Sequence, residues 1–120
     1  MNQSGEEKTG NNSSIMDTLC GIDVRIYQNV RIVKSALGDY CSVGDGAIIK
    51  TSEIGDYCEI ERRNLIRDSR MGRASYTGSN TCIMWAEIGS FCSISRDVDI
   101  GGNNHNYHAV TTMPTYKFEQ

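Results

Sequence analysis

Leucine is scarce in this chain: three Leu stand against thirteen Ile and six Val in 120 residues. Leu-poor sequences make poor helix bundles while β-branched side chains suit strands, so the imbalance excludes an all-helical fold and predicts a β protein. Proline is nearly absent as well, with Pro114 alone against twelve Gly. Tight corners are therefore expected from residues that need positive φ rather than from rings that fix φ. Basic runs are missing: none exceeds Arg62-Arg63, and the formal charge is −3 with a pI near 5.3. That excludes the electrostatic footprint of a nucleic-acid or anionic-membrane binder. No apolar stretch approaches the roughly 18 residues of a membrane span, and Met1 to Ser14 is polar, without a signal-peptide core. The expected compartment is the cytoplasm. Five cysteines without a Cys-x-x-Cys pair favour neither a disulfide framework nor a zinc knuckle and predict reduced thiols. At 13.3 kDa the chain has room for one small domain with a narrow core.

What the chain does contain is a repeat. Cut every seventeen residues, it aligns without a gap as Leu37–Glu53, Ile54–Arg70, Met71–Glu87 and Ile88–Asn104, each opening on an aliphatic residue followed by Gly. A looser copy, Cys20–Ala36, precedes them, so the repeat fills residues 20–104. Within each copy the aliphatic position recurs at six and twelve residues, as in Leu37, Val43 and Ile49 or Ile54, Ile60 and Ile66. A period of six is neither helical nor plain alternation; it implies three short strands per turn of a coil, each sending one large aliphatic inward. Small residues form further columns, Cys41, Cys58, Ser75 and Cys92 in one and Ala47, Asn64, Thr81 and Val98 in another. The expected fold is an all-β parallel β-helix, or β-solenoid, of about five coils. The columns assign Cys41, Cys58 and Cys92 to the interior as compact hydrophobes, not nucleophiles. Tyr40, Tyr57 and Phe91 share one place before the small column and are expected to project outward as an aromatic ladder that Ala74 interrupts. Met1–Ser14 has too little apolar content to fold alone and is expected to be mobile or draped. The organisation expected is thus a polar extension over 1–19, the β-helix over 20–104, and an excursion loop with a tail over 105–120.

These residues resemble the hexapeptide-repeat acyltransferases, whose signature is an aliphatic residue, Gly, two variable residues, a small residue and one more. The resemblance implies a left-handed helix, against the general crossover rule, and a homotrimer built around the prism faces. The regular repeat ends at Ile100-Gly101-Gly102-Asn103-Asn104, and both histidines, His105 and His108, follow it. Gly101, Gly102, Asn104, His105, Thr111, Thr112 and Pro114 look like the excursion loop of the xenobiotic and sugar O-acetyltransferase branch.

That likeness implies an acetyl-CoA-dependent enzyme in which His105 is the general base: imidazole, with pKa near 6.5, takes the proton of an alcohol as it attacks the thioester. It also implies an acceptor site around Asn104, Tyr107, Trp85 and Thr112, and no metal. His108 has no comparable role, and a trimer offering two histidines per site falls short of the three protein ligands of a catalytic zinc. The chain ends at Gln120, fifteen residues past His105, so the resemblance covers the acceptor-side portion and the acetyl-CoA-binding coils are expected to lie outside it. Two classes of function follow. One is an O-acetyltransferase acting on a sugar or polysaccharide hydroxyl, with an antibiotic as the other acceptor. The second is a non-catalytic, trimerising β-solenoid module.

Overall fold

A computed structural model describes residues 8–101 and, by backbone alone, the strand 108–110. Eighteen short strands and no helix make three parallel sheets of six strands each, among the described residues. Face A holds β1 (Lys8–Thr9), β4 (Arg25–Ile26), β7 (Ser42–Val43), β10 (Glu59–Ile60), β13 (Tyr76–Thr77) and β16 (Ser93–Ile94). Face B holds β2 (Ser14–Met16), β5 (Arg31–Val33), β8 (Ile48–Lys50), β11 (Leu65–Arg67), β14 (Cys82–Met84) and β17 (Asp99–Ile100). Face C holds β3 (Leu19–Cys20), β6 (Ala36–Leu37), β9 (Glu53–Ile54), β12 (Arg70–Met71), β15 (Ala86–Ile88) and β18 (His108–Val110). Each strand pairs with the one three places on, so the chain visits A, B and C in turn, as a β-solenoid does. The seventeen-residue register is kept from Leu37↔Ile54 through Ile54↔Met71 to Met71↔Ile88.

The interior is the set of columns that the repeat predicts. Leu37, Ile54, Met71 and Ile88 are buried on face C, Val43, Ile60 and Ile94 on face A, and Ile49, Ile66 and Ile83 on face B. Thr77 takes the face A position among Ile and Val, fully buried. Cys41, Cys58 and Cys92 are buried in the small column, and all five cysteines are thiols. Burial pushes the Cys41 thiol up from 9.0 to about 12 and raises that of Cys58 as well. The Sγ atoms donate instead to the carbonyls of Gly55 and Gly72, each at 2.9 Å. A thiol held protonated in this way is no nucleophile.

The solenoid begins earlier than the boundary at Cys20. Lys8 pairs with Arg25, Ile15 with Ile32 and Cys20 with Leu37, so a further coil occupies part of the stretch expected as a polar extension. It escaped the repeat because polar residues fill its columns: Thr9 lies opposite Ile26, and Ser13 holds Val30 N and the Tyr27 carbonyl through its hydroxyl. The far end differs too. The chain returns to face C after residue 101, because β18 pairs with β15 and sets Val110 opposite Ile88.

Glycine does not make the corners. Fifteen non-glycine residues have positive φ among the described residues, against Gly46 and Gly101 alone. One place in each corner takes the left-handed conformation, as in Tyr40, Tyr57, Ala74 and Phe91, and the amide there reaches the coil before it. The N–H groups of these four donate to the carbonyls of Ile22, Asp39, Asp56 and Arg73, each at 2.8 Å. The glycine of the aliphatic-Gly pair answers a different need. A β-carbon on Gly55 would sit 2.9 Å from Arg73 N and 3.0 Å from the Gly72 carbonyl carbon, so the coils approach too closely there for any side chain.

The two kinds of glycine therefore separate on substitution. Gly55→Ala is expected to cost about 1–3 kcal/mol, the usual worth of overpacking against backbone. Gly46→Asn is expected to stay within about 0.5 kcal/mol, since Asn29 and Asn80 already hold that corner at positive φ; urea melts of both variants check the contrast. The buried thiols set a pH dependence with a definite sign. Their folded pKa lies above the unfolded value, so their contribution is complete below about pH 8.5 and declines as pH rises toward 12. Thermal melts across pH 7–11 should fall at the alkaline end, less steeply in a Cys41→Ala/Cys58→Ala variant. At pH 8 a thiol reagent should label the half-buried Cys20 and Cys82 before Cys41, Cys58 or Cys92.

Candidate functional site

Among the described residues, the register breaks once, where face B hands the chain to face C in the last coil. Ile88 follows Ile83 by five positions, whereas their register partners Ile100 and Val110 are ten positions apart, so this corner holds five extra residues. Gly101 opens it. Its φ is +91°, and a β-carbon there would collide with the Met84 carbonyl oxygen, so the backbone at Gly101 lies flat against the coil beneath. This is the position at which the sequence sets Gly-Gly-x-Asn-His.

Asn104, His105, Tyr107 and Thr112 lie outside the described residues. Trp85 is described. It occupies the left-handed place of the B-to-C corner, φ +55°, one coil below the interrupted corner, and is half-buried, with its N–H donating to the Arg67 carbonyl at 3.3 Å. Earlier coils put Lys34, Thr51 and Asp68 at that place, so Trp85 is the one aromatic in its column among the described residues. His108 belongs to β18, at the register position of Ala86, and so falls in a ladder strand, apart from the stretch that contains His105.

Charge beside this corner is organised by coil. Arg70 on face C reaches Glu53 in the coil before and Glu87 in the coil after, both at 3.5 Å. Arg67 meets its neighbour Asp68 at 3.2 Å. The aromatic ladder stands at the C-to-A corner. Tyr40 and Tyr57 stack with ring centroids 5.1 Å apart, and Arg73 places its guanidinium 5.2 Å from the centre of the Tyr57 ring, which fills the gap left by Ala74. The sequence pattern gave the ladder but not this repair, because Arg73 comes from the neighbouring column. No group of three or more His, Cys, Asp or Glu is arranged to hold a metal ion, among the described residues. Nor is any helix of the described residues long and apolar enough to cross a membrane.

No family model matches the chain, and no curated protein matches it. Among solved structures it is similar to the N-terminal domain of CcmM, crystallised in complex with CcmN. The two share 15% identity over 80% of this chain and 97% of that one, with a TM-score of 0.48.

Proposed function

We propose that the protein is an acyl-CoA-dependent O-acetyltransferase that carries an acetyl group from acetyl-CoA to a hydroxyl of a sugar or polysaccharide, with His105 as general base. The observation that supports this reading is the five-residue excess between Ile100 and Val110. A scaffold that repeats every seventeen residues spends its side chains on stacking, and the extra residues at this corner carry the Asn104-His105 pair. In the reaction, His105 takes the acceptor's hydroxyl proton as that oxygen attacks the thioester carbon. The tetrahedral intermediate collapses with cleavage of the C–S bond, and the leaving thiolate takes the proton back from the imidazolium. No acyl-enzyme and no metal take part. Asn104, Tyr107, Trp85 and Thr112 line the acceptor side.

We also propose that face B carries self-association, as a homotrimer. Its outward columns include Val33, Ile48, Leu65, Cys82 and Met84, each half-buried within one protomer, and such a sheet face is one that copies cover. The same face supports the second reading, a trimerising module without turnover.

Acetyl-CoA turnover over a panel of sugars, followed by release of free CoA in a form of the protein that carries the acetyl-CoA-binding coils, separates the two; residues 1–120 alone are expected to turn over negligibly. His105→Ala is expected to lower kcat by roughly 10²–10⁴, the worth of a general base, with KM little changed. His108→Ala should change kcat less than about threefold. Equal rates for wild type and His105→Ala, both folded by circular dichroism, leave the module reading in place. Light scattering at micromolar concentration should give a trimer, and Leu65→Glu a monomer; a monomeric wild type would remove the assembly.

A further inference from the structure

Face A carries a concavity three coils before the interrupted corner. Its outward positions change size sharply from coil to coil. Ser42 lies between Arg25 and Glu59 in the strand ladder, and Gly44 follows with no side chain where the coil before has Tyr27. Short side chains between long ones leave a notch of about 490 Å³. Ser42 floors it, and Tyr27 and the stacked Tyr40–Tyr57 pair wall it. These three tyrosines remain 48%, 46% and 50% exposed.

Charge is the second observation. On face C the alternation Glu53, Arg70, Glu87 runs at one-coil spacing, and the charges neutralise one another. On face A, Ser42 separates Arg25 from Glu59. Their backbones stand two inter-strand spacings apart, about 9.6 Å, and neither is in an ion pair among the described residues. Asp23 lines the same gap, so a fork of donors and two carboxylate acceptors face it beside tyrosine rings.

A ligand for such a gap is not an anion, since Asp23 and Glu59 outnumber Arg25 there and repel a phosphate, while a neutral one can also accept from the Arg25 guanidinium. It offers hydroxyls that both donate and accept, and an apolar face for the aromatic wall. The volume is that of a small-molecule site, which runs from about 300 to 1,000 Å³. We propose that this notch binds a neutral pyranoside, with Glu59 accepting from and Arg25 donating to its hydroxyls and Tyr27 beside its apolar face. The subsite is separate from the acetyl-transfer reading and does not depend on it.

The test is a titration of the isotope-labelled full chain with cellobiose, maltose and lactose, read by amide chemical shifts. Saturable shifts at Ser42 and Gly44 are expected, with a Kd in the millimolar range for at least one sugar. Glu59→Gln and Tyr27→Ala should each weaken it about fivefold or more, and Ser42→Tyr, which fills the floor, should abolish it. His105→Ala should bind the sugar as wild type does, even if acetyl transfer is lost. Absence of saturable shifts for all three sugars up to about 50 mM overturns the proposal. So does unchanged affinity in Ser42→Tyr with a preserved amide spectrum, or tighter titration of the same amides by inorganic phosphate or choline.

Discussion

Each coil turns three corners around an interior too narrow for water to reach, and backbone amides at those corners have only the neighbouring coil to bond with. The left-handed conformation solves this by aiming an N–H at the coil before, as Tyr57 does toward Asp39 and Arg63 toward Asp45, at 2.8 Å each. The conformation costs a non-glycine residue about 1–2 kcal/mol. A buried amide left unpaired costs about 1–3 kcal/mol, so the strained corner persists. Residue type then matters little there: Asn, Asp, Lys, Tyr, Trp and even β-branched Thr51 all accept it.

The same stacking forces like positions into contact and turns single residues into ladders. Ser35, Ser52 and Ser69 each donate from Oγ to the carbonyl two residues back at 2.8 Å, and each accepts the amide one coil on at 3.1–3.2 Å. A hydroxyl that serves two backbone groups is at home in a buried column. Asn64 is held in the same spirit, its amide nitrogen donating to the carbonyls of Glu61, Arg62 and Gly78. Asn64 Oδ1 and the Thr77 hydroxyl are the exceptions, buried without a partner among the described residues, and Thr77 costs stability that an Ile or Val in its column would not.

Much of this was legible in the sequence, because the stack writes its period into the chain. The aliphatic columns, the cysteines at one small place and the outward Tyr40 and Tyr57 all follow from reading every seventeenth residue. Three features were not legible, each for a physical reason. The coil from Lys8 to Cys20 hides its register because its hydrogen bonds are made by backbone and by Ser13, which hydrophobic pattern does not report. Positive φ was assigned to glycine because glycine is the residue that needs least to adopt it, yet the corners take it from hydrogen bonding. The return to face C was hidden by its five extra residues, which shift Val110 out of phase with Ile88. Of the candidate site, the break at Gly101 was visible as a loss of pattern, while the notch over Ser42 needed the outward columns to be read across coils: Arg25, Ser42, Glu59.

Such a scaffold constrains where chemistry can be placed. An inward side chain belongs to a column and cannot change without straining the coils on either side, and an outward one faces its own repeat about 4.8 Å away. Recognition then has two openings. Either a coil leaves the register, as after Gly101, and gains residues beyond the repeat, or an outward column changes size abruptly between coils, as from Arg25 to Ser42 to Glu59. The first adds residues beyond the seventeen-residue count, which can be given to a reacting group. The second sets charged side chains on backbones whose spacing the ladder fixes, which suits binding better than bond-making.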